Sequence, residues 1–127
     1  MTPLQVFWAQ CTSRRRRVWC LLKEVDTENI NTSGVYLIWH GGHVPRVIYI
    51  GHGDIASRIN HHRSSTRILQ YASKGLLMVT WANVPESERR GAAKFLANAL
   101  EPLRGEPDEI QPTPVNLPWA NPPVAPQ

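Results

Sequence analysis

Residues 33–63 constrain this chain more than any other stretch, because they commit three consecutive elements in a fixed order. Segments 35–40 and 46–50 are rich in β-branched and aromatic residues, and a loop carrying Gly41, Gly42 and Pro45 separates them. That pattern predicts a β-hairpin. Asp54 then stands where an N-cap belongs, and Ile55 and Ile59 recur at helical spacing, so the hairpin is expected to run directly into a helix reaching Arg63. On that helix Ile55, Ile59 and His62 share one face, with Arg58 at its edge. An arginine so placed packs its stem while its planar guanidinium reaches outward, a geometry suited to a phosphate. Strand alternation sets Tyr36 with Ile38 on one face, and Val47 with Tyr49 and Gly51 on one face of the second strand. The two tyrosines converge if those faces coincide.

The rest of the chain fits one α/β domain, a three-stranded antiparallel sheet flanked by helices. Segment 76–84 predicts the third strand, and because both of its alternating sets are apolar (Leu77, Val79, Trp81 and Leu76, Met78, Ala82) it should be covered on both faces. Pro85 or Ser87, with Glu86 and Glu88, opens a helix whose core stripe is Ala92, Leu96, Ala99 and Leu100; Ala93 borders the stripe and Pro102 ends the helix. The organisation read from this is an N-terminal segment 1–32 packing on the domain, a core 33–104, and a proline-rich tail 105–127. Phe7 and Trp8 are candidate anchors for the first segment, and the apolar run 18–22 is too short to separate strand from helix. Six of the eleven prolines fall between Pro112 and Pro126, which predicts an extended tail with a few apolar anchors around 114–119.

Charge is divided unevenly. Residues 1–74 hold ten Lys/Arg against four Asp/Glu, and residues 75–127 hold four against six, balances of +6 and −2. A polyanion should be drawn to the first part in a salt-dependent way. The arginine run 14–17 reads either as a contact to a nucleic-acid backbone or as a solvated turn. No apolar run approaches the about 20 residues of a membrane span, so no membrane partner is expected. No apolar signal-peptide block precedes the arginine run. Cys11 and Cys20 lack the partners of a zinc site; a reduced, cytoplasmic pair is the plain reading, with a single disulfide left open. His40 and His43 bracket Gly41-Gly42 without the Cys or carboxylate that would complete a metal set.

Gly34-Val35-Tyr36, then Tyr49-Ile50-Gly51, then Arg58 and His62 four residues apart resemble the GIY-YIG nuclease domain. The resemblance implies a metal-dependent endonuclease that hydrolyses double- or single-stranded DNA with one divalent cation, typically Mg²⁺. In that scheme Tyr36 orients or deprotonates the water and Tyr49 hydrogen-bonds in the same cluster. Arg58 neutralises a non-bridging oxygen and His62 joins the set, while His52, His61, Arg63, Arg67 and Asn116 are candidate nucleic-acid contacts. The family closes its site with a metal-binding glutamate, followed three residues on by an aliphatic residue and nine on by a proline. Leu96 and Pro102 stand at those offsets here, and the position they define is Ala93. Three readings of Ala93 compete: natural loss, an engineered replacement that silences a nuclease, or recruitment of Glu86, Glu88 or Glu101. Presence of the remaining motif residues favours recent loss or engineering. Recruitment is disfavoured, because Glu88 and Glu101 lie about 7 Å or more away along the helix axis.

Overall fold

The computed structural model describes residues 3–105 and 108–125. Its strands are β1 (Cys11–Ser13), β2 (Arg16–Val18), β3 (Cys20–Leu21), β4 (Ser33–His40), β5 (Arg46–Asp54) and β6 (Leu77–Asn83). Its helices are α1 (Ile55–His62), the single turn α2 (Thr66–Leu69) and α3 (Glu86–Leu100). β1 and β2 pair as a separate hairpin, and the other four strands form one antiparallel sheet in the order β3-β6-β4-β5. The domain is therefore α/β as expected, but its sheet has four strands rather than three. The unexpected strand is Cys20–Leu21, paired with Val79 and Met78. Two residues are too few to show any alternation in the sequence.

β4 is flanked by β6 and β5, and every residue from Gly34 to His40 is buried. Tyr36 and Ile38 face Ile55 and Ile59 of α1 and Ile68 of α2. Val35 and Leu37 face Ala92 and Leu96 of α3 on the opposite side. An eight-residue helix is too short to persist alone; fully burying Ile55 and Ile59 contributes roughly 3–6 kcal/mol to holding α1 in place. Asp54 caps it as expected, its carboxylate accepting from the Ser57 amide at 3.0 Å.

The hairpin runs past the expected ends. Ser33, Gly34 and Val35 pair with Asp54, Gly53 and His52, so β5 continues through Gly51 and Gly53, glycines that read in the sequence as the end of a strand. A β-bulge breaks the register: Ile38 faces Tyr49 but Trp39 faces Val47, leaving Ile48 as the extra residue. This corrects the expected faces. Val47 packs with Trp39 and Met78, whereas Ile48 joins the side that carries Tyr36.

The chain ends depart most from expectation. Cys11 and Cys20 form a disulfide, with Cα atoms 5.1 Å apart, so the reduced pair is corrected and with it the argument that placed the chain in a reducing compartment. Arg14 and Arg15, at the β1–β2 turn, have φ of 50° and 65°, and all four arginines of the run are exposed. Trp8 anchors the N-terminal segment by donating its indole N–H to the Asn116 carbonyl at 2.9 Å, but Phe7 is 95% exposed. The tail is extended yet docked. Val115 pairs with Leu4 and is buried, and Trp119 packs edge-on against Trp39 at 5.2 Å. The tail crosses α3 at Gly91, where a side chain would collide with Thr113. On α3 the buried residues are Gly91, Ala92 and Leu96; Ala99 of the expected stripe is exposed. Pro126 lies outside the described residues. Among the described residues no helix is long and apolar enough to cross a membrane.

Candidate functional site

The site is assembled along β5, the edge strand of the sheet, between α1 and α3. Register places Tyr36 opposite Gly51 and Ile38 opposite Tyr49, so the tyrosines lie diagonally on one face with ring centroids 6.1 Å apart. Both motif glycines have a steric reason. A Cβ on Gly51 would strike the Tyr36 hydroxyl, and one on Gly34 would strike the Ala82 carbonyl of β6.

α1 brings Arg58 and His62 onto the tyrosines. Arg58 Nε donates to Tyr36 Oη at 3.2 Å, and the same hydroxyl is 2.7 Å from His62 Nε2. Arginine only donates, so the phenol oxygen accepts from Arg58; its own proton points to His62 Nε2 in the tautomer that leaves that nitrogen free to accept. Neutral His62 then carries its proton on Nδ1. The protonation states agree with this direction. Burial pushes the Tyr36 phenol up to about 12, with the Arg58 hydrogen bond partly opposing it. Burial first, then the charges of Arg58 and His61, bring His62 down to about 4. Arg58 is held as guanidinium chiefly by its bond to Tyr36. At neutral pH the set is therefore a cation, a neutral phenol and a neutral imidazole in series. Tyr36 is fully buried as the floor, while Tyr49 is half-buried beside it.

Above this floor lies a cleft of about 280 Å³. Tyr49 and His52 of β5 and Arg58 of α1 line it, together with Ala93 and Lys94 of α3 and Pro102 beyond it. Position 93, the place that the family resemblance gives to the metal ligand, lines this cleft together with both tyrosines. A second cavity of about 200 Å³ shares Tyr49 and Arg58 and takes in His61, His62 and Arg67. Two expected nucleic-acid contacts are corrected. Arg63 turns inward, its Nε donating to the Leu22 carbonyl at 2.7 Å and its guanidinium also to that of Val25, because the chain after β3 leaves these carbonyls for a side chain to satisfy. Asn116 is spent on Val6, accepting from its amide at 2.7 Å and donating to its carbonyl at 3.0 Å, and so serves to tie the tail to the N-terminal segment.

Residues the motif did not announce also line the cavities. Arg90, Lys94 and Asp108 line the first and Arg104 the second. Helical spacing carried part of that signal, since Arg90 and Ala97 stand three before and four after Ala93 on the same face. Arg104 and Asp108 follow the helix without a motif, and only the path of the chain brings them in.

The residues present do not fit the divalent cation that the motif implies. Mg²⁺ takes oxygen ligands, usually one or two carboxylates with waters, and Ala93 offers a methyl group. Glu86, Glu88 and Glu101 do not line the cleft. Among the described residues its lining carboxylate is Asp108, whose two oxygens accept from Arg90 at 2.8 Å each, and that pairing holds it below the usual carboxylate range. Arg58, Arg90 and Lys94 against one paired carboxylate make a cleft for an anion. Among the described residues no three His, Cys, Asp or Glu are grouped to hold a metal, the His40–His43 loop included. No family model matches the chain, and no curated protein or solved structure matches it either.

Proposed function

We propose that this chain is a DNA-binding domain built on an endonuclease site of the GIY-YIG type, with the metal-holding glutamate replaced by Ala93. The observation that carries the reading is the series Arg58–Tyr36–His62, hydrogen-bonded at 3.2 and 2.7 Å, with Arg58 and Tyr36 lining a cationic cleft that Ala93 also lines. The chemistry of each part suits a phosphodiester. Arg58 keeps its terminal nitrogens for a non-bridging oxygen while Nε is fixed by Tyr36. Tyr36 links Arg58 to His62, and neutral His62 is positioned to accept a proton through that hydroxyl. With no carboxylate free to hold Mg²⁺ among the described residues of the cleft, the chain binds the phosphodiester and leaves it intact.

Substituting Ala93→Glu tests this. Glutamate is a good helix former, and the position is half-buried at the cleft wall, so folding should change little. Given supercoiled and single-stranded DNA with Mg²⁺, Ala93→Glu should nick or cleave, EDTA should stop it, and adding Tyr36→Phe should abolish the gain. An Ala93→Glu protein that folds, binds DNA and stays inert on both substrates would assign the chain to binding alone. Cleavage by the unaltered chain in Mg²⁺ would overturn the placement of the metal position.

A further inference from the structure

The second cavity differs from the cleft in one respect that matters: among the described residues its lining contains no carboxylate. Arg58, Arg67 and Arg104 all reach it, and among the described residues none of the three forms an ion pair. Arg104 is preset there. Its Nε donates to Tyr71 Oη at 3.1 Å and its guanidinium lies 5.9 Å over the Tyr71 ring, while its amide donates to the Ile48 carbonyl at 2.7 Å. Three guanidinium groups at one small cavity repel unless an anion joins them.

A second, independent observation points the same way. His62 lines this cavity, is 4% exposed, and its Nδ1 has no hydrogen-bond partner among the described residues. In the tautomer that lets Tyr36 donate to Nε2, that nitrogen carries the proton and is a buried donor in need of an acceptor. Ser65 adds a hydroxyl to the lining. The cavity thus offers several donors and concentrated positive charge at about 200 Å³, which suits a compact tetrahedral oxyanion.

We infer that the second cavity is a phosphate pocket, distinct from the cleft and separated from it by Tyr49 and Arg58. Its natural occupant, a further phosphate of the nucleic acid in the cleft, rests on the function proposed above; the pocket itself does not. That phosphate is either internal to the strand or a terminal 5′-phosphate, both sharing the same oxyanion chemistry.

The full chain, labelled with ¹⁵N-histidine, would be titrated with sodium phosphate at constant ionic strength while the His62 ring nitrogens are followed by NMR. A saturable shift of Nδ1 is expected, weakened about tenfold by Arg67→Gln, an exposed residue whose loss should not disturb folding, and unaltered by the control Arg16→Gln at the distant hairpin. No saturable shift, or an equal one in Arg67→Gln, would overturn the pocket. Oligonucleotides with and without a 5′-phosphate then separate the sources. An equal loss of affinity in Arg67→Gln on both assigns an internal phosphate, and a loss confined to the phosphorylated strand assigns the terminal one. Phosphate binding without oligonucleotide affinity keeps the pocket and removes the nucleic-acid reading. Oligonucleotide affinity that Arg67→Gln leaves untouched, beside a phosphate shift that it weakens, keeps the pocket and overturns the nucleic-acid phosphate as its occupant.

Discussion

His62 is buried and neutral, with Tyr36 on Nε2 and Arg58, His61 and Tyr49 around its ring. The unfolded chain takes up a proton on this residue near pH 6.5 and the folded chain only near pH 4. Between those values the unfolded state binds more protons, so stability is full above about pH 6.5 and falls as the pH drops towards 4. The loss attributable to His62 is on the order of 3 kcal/mol. Urea unfolding at pH 7 and pH 4.5 should show it, and His62→Gln should flatten the difference; an equally steep profile in His62→Gln would assign the acid sensitivity elsewhere. At this scale legibility followed sequence distance. Tyr36, Tyr49, Arg58 and His62 were readable because strand alternation and a four-residue helical step relate neighbours in the chain. Arg63 and Asn116 were misread because their partners, the carbonyls of Leu22 and Val25 and the backbone of Val6, are remote in sequence and carry no side-chain signature.

The hairpin and α1 were legible as elements, since each writes its own period. β3 was not, because its two residues owe their strand geometry to Val79 and Met78. The tail was half legible: its prolines announced an extended chain, but not that α3 and the sheet would hold it. Val115 is 2% exposed, Trp39 Nε1 donates to the Pro123 carbonyl at 3.1 Å, and the Ala125 amide donates to Gly41 at 2.8 Å. The tail's apolar anchors are thus spent on the chain's own sheet. Removing residues 112–127 uncovers Val115, Trp119 and part of the Trp39 surface, a loss of roughly 3–5 kcal/mol. The midpoint of urea unfolding should move down accordingly. Unchanged stability after truncation would mean that the tail contributes nothing to the fold.

Across the whole molecule, dividing the charge by position in the chain concealed where the cations gather. Arg90, Lys94 and Arg104 belong to the part with a balance of −2, yet each lines one of the two cavities with Arg58. Arg58, Lys94, Arg67 and Arg104 are the cations left to meet phosphates once Arg90 is paired with Asp108. Four such contacts predict that log K for DNA falls against log salt with a slope of roughly −3. Fluorescence anisotropy across a salt series measures it, and affinity indifferent to ionic strength would remove the electrostatic basis of the proposed function. The segment that delivers Arg104 has another consequence. Leu103 and Arg104 donate their amides to Val47 and Ile48 along the open side of β5, at 3.0 and 2.7 Å. An uncovered strand edge is a template for a second chain to add to. The same short stretch that helps to form the proposed phosphate pocket therefore also guards this strand edge against self-association. Peeling it away would abolish ligand binding and start aggregation in a single event, so the two failures should share one temperature rather than follow one another.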